Sequence, residues 1–293
     1  MRRQEPRHRT TDAQWTFLQP LVPRSKAKTG RPPADARRMI DGLLWLLRTG
    51  SPWRDLPGEW FGPWQTVYHY RNAWRADGTL DKILLALQVR LDRRGKIDWD
   101  LWCVDGSVVR AARCAAGAAG ASVLTHDGEP QDHALGRSRG GFTSKFHLVT
   151  DGNGLPLAVE TSAGERHDST MFEAALEAVV GIPRRVGRPR RRPGRVAGDK
   201  GYSYAWIRDW LRAHAIGAVI PQRDDQRANH KGRPLAFDKD AYRRRSVIEQ
   251  CIGWLKECRR VLTRYEKLAI NFLAMLKLAI VQRYLRLEFS DSA

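Results

Sequence analysis

LWCVDGSVVRA, residues 101–111, is where the chain changes character. Upstream, apolar residues recur at helical spacing. From here on they come in short runs and at alternate positions, the period of β-strands. The segment reads as a strand that ends at Asp105, followed at once by Gly106. Downstream, SKFHLVT (144–150) and LPLAVETSA (155–163) flank DGNG (151–154), a hairpin turn signal. HDSTMFEAALEAVV (167–180) reads as a helix capped near Asp168, and RVAGDKGY (195–202) as a strand ending at Asp199. A helix at YAWIRDWLRAH (204–214) precedes a strand at AIGAVIP (215–221), and two helices close the chain. Trp206 and Trp210 are expected in the core. Strands and helices in this order give an α/β fold, a mixed sheet flanked by helices.

Upstream, TDAQWTFLQPLVP (11–23) reads as a short helix capped by Thr11 or Thr10, followed by a basic linker, RSKAKTGRPP (24–33). DARRMIDGLLWLLRTG (35–50) carries Met39, Ile40, Leu43, Leu44 and Leu47 at helical period and stops at Gly50. A turn-rich segment leads to a second helix, WQTVYHYRNAWRADG (64–78), bearing Gln65, Thr66, His69, Arg71 and Arg75. Helix, connection and polar second helix are the order of a DNA-binding helix-turn-helix. A plain bundle with Trp64, Tyr68 and Trp74 as core fits these residues equally well. Charge favours DNA. After a further helix, Leu80 to Leu91, the division is expected near RRGKID: a helical domain at 1–96 and an α/β domain at 97–293.

The formal charge of +19 over 293 residues suits a protein that meets a polyanion. Lys and Arg are spread along the whole length, whereas an anionic membrane surface calls for a concentrated basic amphipathic helix. MRRQEPRHRT, at the start, lacks the apolar stretch of a secretory signal. LAINFLAMLKLAIVQRYL (268–285) is interrupted by Asn271, Lys277, Gln282 and Arg283, so it reads as a core helix rather than a membrane span. Cys103, Cys114, Cys251 and Cys258 show no CxxC spacing and read as buried small hydrophobes in a reducing cytoplasm. The Ala/Gly tract ARCAAGAAGASVL (112–124) and the Arg/Pro-rich PRRVGRPRRRPGR (183–195) read as mobile loops, the second suited to grip DNA without sequence preference.

YRRRSVIEQCIGWLKECRR (242–260) reads as one helix. Tyr242, Arg245, Glu249 and Lys256 share one polar stripe, while Val247, Ile248, Cys251, Ile252, Leu255 and Cys258 gather opposite. Alone, Glu249 is an exposed acid among arginines, and Asp105 and Asp199 are strand-ending turn residues. Together they make a candidate cluster of three carboxylates. In a basic, DNA-binding chain such a cluster makes sense if a cation lies between. Mg²⁺ takes hard oxygen ligands, and two such ions can clamp the attacking and leaving oxygens of a phosphoryl displacement.

With these residues in view, the chain resembles bacterial insertion-sequence transposases of the DDE class, in the group numbered five. The spacing of Tyr242, Arg245, Glu249 and Lys256 matches that family's Y-(2)-R-(3)-E-(6)-K signature, and VDGSVVRA and AGDKGYSY resemble the surroundings of its two aspartates. Residues 136–169 are similar to its first hairpin. The likeness implies an RNase H-like catalytic domain in which Asp105, Asp199 and Glu249 bind two Mg²⁺ ions, with Mn²⁺ able to substitute. Tyr242, Arg245 and Lys256 would contact phosphates at the transposon end. Some relatives insert a β-domain between the second Asp and the Glu, carrying a Trp that stacks on a flipped base; the interval here is too short for one.

Arg137, Arg139 and Lys145 are further candidates for phosphate, with a solvated basic loop as the plain alternative, and Arg71 and Arg75 are candidates for contacting DNA from the helical part. His167 and Asp168 are candidates to lie near the metals, Asp168 equally as a helix cap. The resemblance implies a cytoplasmic, nucleoid-associated enzyme that binds terminal inverted repeats in double-stranded DNA. It would hydrolyse a phosphodiester and direct the freed 3′-hydroxyl at target DNA, as a homodimer on DNA. Two rivals stay open: a metal nuclease on the same fold, and a DNA-binding protein that keeps the fold without the chemistry.

Overall fold

The computed structural model describes residues 8–23, 33–116, 127–184, 186–229 and 235–289. The linker residues 24–32 and the Ala/Gly tract from residue 117 to 126 lie outside them. In chain order the principal elements are α1 Asp12–Leu18, α2 Ala36–Thr49, α3 Trp64–Ala76 and α4 Thr79–Arg93. Then come β1 Leu101–Ala111, β2 Gly136–Ser138, β3 Gly141–Asp151, β4 Pro156–Ala163, α5 Phe172–Glu177, β5 Arg195–Ala197, α6 Ala205–Ala213 and β6 Gly217–Val219. The last are α7 Lys239–Arg243, α8 Ser246–Lys256 and α9 Ala269–Phe289. The chain forms two compact units: one of residues 88–111 and 130–254, the other of 1–87, 112–129 and 255–293.

In the first of these, β1 pairs antiparallel with β3, which pairs antiparallel with β4, while β5 runs parallel to β1 and to β6. The order β4-β3-β1-β5-β6 is an RNase H-like mixed sheet. Its interior is apolar where the sequence alternates: Leu101, Cys103, Phe146, Leu148, Leu157, Val159 and Val196 are buried. The DGNG turn joins β3 to β4 as read. Asp151 closes it by accepting from the N–H groups of Asn153 and Leu155 at 3.0 and 2.8 Å, and Gly154 takes φ +80°, a conformation that favours glycine.

Two local readings are corrected. β1 does not end at Asp105; it runs on to Ala111, because β3 is long enough to pair with it as far as Arg110. What ends near Asp105 is the pairing with β5, which covers only Leu101 to Cys103. The stretch 242–260 is not one helix either. α7 stops at Arg243, Arg244 and Arg245 form a turn, and α8 begins at Ser246. The side chains explain the break, since Arg244 reaches Asp98 at 2.5 Å while Arg245 reaches Asp105 at 3.0 Å. Cys258 lies beyond α8 and precedes a helical turn, Arg259–Leu262.

The expected tryptophan core is also revised: Ile207 and Leu211 are the fully buried face of α6, while Trp206 is 43% exposed and Trp210 half-buried, stacked on His214. Of the cysteines, Cys103, Cys251 and Cys258 are buried as expected, but Cys114 is exposed. The 183–195 loop is tied at its base by a bridge between Ile182 and Arg190.

The other unit is helical. Thr11 caps α1 through a capping box with Gln14, and Asp35 caps α2. Gly50 stops α2 at φ +67°, where a methyl group would also sit 2.9 Å from Arg259 Cβ. α2 packs on α3 and α9, burying Leu43, Leu46, Leu47, Val67, Trp74, Phe272 and Met275. Within this core Arg260 and Glu266, both almost fully buried, pair at 2.7 Å. Among the described residues no helix is long and apolar enough to cross a membrane.

Two predictions follow from burial. Arg260→Met leaves the Glu266 carboxylate buried without its cation and is expected to cost about 3–5 kcal/mol, read by denaturant unfolding. The Asp151 carboxyl is pushed up to about 6, by burial above all, although three backbone N–H groups favour its charged form. The native state therefore keeps a proton that the unfolded chain has released above pH ~4. Stability is lost as pH rises from there through about 6, and Asp151→Asn is expected to flatten that slope when urea midpoints are compared across the window.

Candidate active site

Within the sheet unit, Asp105 projects from β1 two residues past the last position paired with β5. Asp199 lies just after β5 and caps a 3₁₀ turn, Lys200–Tyr202, by accepting from the Gly201 N–H at 2.8 Å. Glu249 stands on the first turn of α8, mostly exposed. Arg245 joins them: one guanidinium nitrogen donates to Asp105 at 3.0 Å and the other to Glu249 at 2.5 Å. Burial pushes the Asp105 carboxyl up; Arg245 opposes the shift and the nearby Asp199 charge adds to it. The guanidinium is half-buried, which disfavours its charge, yet Asp105 and Glu249 more than offset this and hold its pKa up. Arg245 thus links Asp105 to Glu249, and the Asp199 charge acts on Asp105.

A second polar group adjoins them. Asp168 lies in the first turn after β4, and the cap there is His167, whose ring accepts from the Ser169 N–H, so Asp168 is not the cap. Its carboxylate instead meets Lys145 at 3.1 Å and His147 at 3.6 Å, both on β3. Lys145 also donates to the Arg166 carbonyl at 2.7 Å. Burial pushes the His147 imidazole down to about 4, so it is neutral at pH 7. Tyr202 is 1% exposed, and its hydroxyl has no hydrogen-bond partner among the described residues. Burial first, then the charges of Asp168, Asp105 and Asp199, raise its pKa and keep it a donor. The sequence reading missed Tyr202 and His147. A usable signal was Gly106, since a glycine inside a strand marks a close approach.

Of the expected DNA contacts, Tyr242 lies on α7, with the Arg245 guanidinium 5.8 Å from its ring centroid, and Lys256 is the last residue of α8, its ammonium pushed down by burial. Arg137 and Arg139 are exposed at the β2–β3 hairpin. Lys145 is nearly buried, its ammonium engaged with Asp168 and the Arg166 carbonyl. Arg71 is 2% exposed, its guanidinium 4.8 Å from the Tyr68 ring and 5.3 Å from that of Trp53, so it packs the helical unit rather than facing DNA. Arg75 is partly exposed.

For a divalent cation the donor set is right in kind: carboxylate oxygens that repel one another. Among the described residues no three His, Cys, Asp or Glu side chains are already gathered as a cage. Arg245 occupies the position between Asp105 and Glu249 as a stand-in cation, which is the observation that the residues fit positive charge there.

Residues 100–282 match the family described as "Transposase DDE domain", and residues 10–84 match "Putative transposase of IS4/5 family (DUF4096)". The chain is 33% identical over 135 residues, 46% of its length, to the "Putative transposase for insertion sequence element IS402" of Burkholderia cepacia, and covers 59% of that protein. It is 28% identical over 149 residues, half its length, to the "Putative transposase for insertion sequence element IS6501" of Brucella ovis, all of which it covers. A crystal structure of the Mos1 strand transfer complex aligns with 80% of the chain and 82% of its own, at 12% identity and a TM-score of 0.25.

Arg245→Gln removes the stand-in cation. Without added metal it is expected to lower stability by about 1.5–3 kcal/mol. Added Mg²⁺ should then raise the variant's melting temperature by more than it raises the parent's.

Proposed function

The chain belongs to the DDE-domain transposases of insertion sequences, and on that premise we propose that it binds the terminal inverted repeats of its own element, cleaves a phosphodiester there and joins the freed 3′-hydroxyl to target DNA. The observation that carries the reading is the bridge of Arg245 between Asp105 and Glu249, with Asp199 close enough to raise the Asp105 carboxyl. It supports one catalytic group built from a strand, a turn and a helix.

In this reading Asp105, Asp199 and Glu249 hold two Mg²⁺ ions, or Mn²⁺ in their place. Bound there, the metal supplies Lewis acidity at the scissile phosphate and favours the deprotonated nucleophile. The protein's part is positioning. β1 and β5 fix the two aspartates relative to each other. Arg245, once the carboxylates have another cation, is free to turn to phosphate, where its planar fork suits two oxygens. Tyr242 and Lys256 extend that contact along the strand, and the exposed Arg137 and Arg139 add sequence-independent grip.

The division we propose is one of labour: residues 97–293 carry out the chemistry and residues 1–96 recognise the end, with Arg75 among the contacts. The partners are double-stranded DNA and a second copy of the chain, because two ends must be joined in one complex. The excess of cations, +19 overall, supports DNA as the partner and the bacterial cytoplasm, at the nucleoid, as the place.

The test is cleavage of a duplex carrying the element's end, with Mg²⁺ or Mn²⁺, by the parent and Glu249→Gln at one salt concentration. The parent is expected to nick at the element boundary. The variant should bind equally well and cut at least ~100-fold more slowly, ~2.7 kcal/mol in the barrier. Tight binding without cutting by both would make the chain a DNA-binding protein on an inherited fold.

A further inference from the structure

Tyr202 and Asp168 are buried or half-buried polar groups that a metal-binding trio of acids does not by itself require. Asp168 is placed by two residues of β3, Lys145 and His147, and its carboxylate lies over Gly106, the residue after Asp105. A methyl group at Gly106 would sit 2.1 Å from Asp168 Oδ1 and 3.4 Å from His147 Nδ1, so only glycine lets the carboxylate come so near the strand. His147 and Gly106 are cross-strand partners, which puts the imidazole on the same face. Its Nε2 lies 2.8 Å from the Ser162 hydroxyl, and its Nδ1 lies 3.6 Å from Asp168 Oδ1.

Tyr202 connects this group to the acids. It ends the turn that Asp199 caps, and its own N–H donates to the Asp199 carbonyl at 3.1 Å. That turn packs against the turn Asp168–Met171, and the Tyr202 ring lies 5.7 Å from that of Phe172. A phenol wholly out of solvent and without an acceptor costs free energy unless its donor is used. The charges of Asp168, Asp105 and Asp199 act on it.

We propose that Tyr202 and Asp168 are positioning residues of the cleavage site. Lys145 and His147 hold the Asp168 carboxylate against Gly106, and the Tyr202 hydroxyl, buried and unpartnered on the turn that Asp199 caps, is the donor kept for that aspartate when a divalent cation binds. The inference rests on the function proposed above and extends it by a layer behind the metal-facing acids. Such outer groups fix the direction of ligand oxygens and set metal affinity. The arrangement also gives Lys145 its role, as the counter-charge that holds Asp168 in place.

The experiment compares the parent with Tyr202→Phe, which removes one oxygen and keeps the ring, and Asp168→Asn. Thermal stabilisation by Mg²⁺ is titrated for each, and cleavage of the end duplex is timed at saturating DNA. Tyr202→Phe is expected to melt no lower than the parent without metal and to bind the end equally. Its half-saturating Mg²⁺ should rise about tenfold and its cleavage rate fall by a similar factor, with Asp168→Asn shifting both in the same direction. Unchanged Mg²⁺ half-saturation and rate in Tyr202→Phe would overturn the proposal and leave the hydroxyl a packing feature. A parent that Mg²⁺ stabilises but that does not cut overturns the transposition reading alone, because the Mg²⁺ titration of the variants still decides this one. A parent that Mg²⁺ does not stabilise overturns both.

Discussion

Carboxylates at the rim of an apolar sheet repel one another, and everything around this site follows from how that repulsion is balanced. Asp105 is driven toward its neutral form by burial and by Asp199, and one guanidinium, that of Arg245, opposes the shift while also holding Glu249. The geometry of the backbone answers to this pair. Arg245 reaches a strand and a helix at once from the turn at Arg244 and Arg245, just before α8 starts, through the two nitrogens of one guanidinium.

The same economy governs β3. Ser144, Lys145, His147, Thr150 and Asp151 are all buried on that one strand, an unusual load of polar groups for a sheet interior. All but Thr150 are tied down: Ser144 donates to the Ala134 carbonyl at 2.6 Å, Lys145 and His147 face Asp168, and Asp151 closes the hairpin. A strand whose polar residues were placed for stability alone would direct them to water. Here they are directed at two features that the sheet must build, a tight turn at one end and an anionic pocket toward the other.

Much of this was legible in the sequence, for local reasons. DGNG announces its turn because the chemistry lies within four residues, and Gly50 announces the end of α2 in the same way. The three acids were legible by type and by their place near strand ends and on a helix. The break at Arg244 was not, because no proline or glycine marks it; the cause is Asp98 and Asp105, distant in the chain. Asp168 was read as a cap because Asp before an apolar run usually is one, and His167 took that role instead. Arg71 was read as a DNA contact, since nothing in its helix foretells that Trp53 packs against it. Trp206 and Trp210 were assigned to the core on size, whereas the smaller Ile207 and Leu211 are the buried face. For Arg244, Arg245 and Arg71 a partner outside their own helix overrides the local preference.

The composition then takes on a sharper meaning. Against 51 Lys and Arg residues the chain sets 32 Asp and Glu, and several of those acids are spent within the protein on particular arginines: Asp98 on Arg244, Asp238 on Arg195, Glu266 on Arg260. Acids paired in this way do not oppose an approaching polyanion, because each is already screened by its own cation. Asp105 and Glu249 differ in that two carboxylates share one arginine, with the Asp199 charge acting on Asp105 as well. At this point carboxylates outnumber the arginine that pairs with them. In the function proposed, a phosphate backbone drawn in by the general field would meet carboxylates at this point. A cation carried in with the DNA or bound ahead of it would satisfy both sides at once.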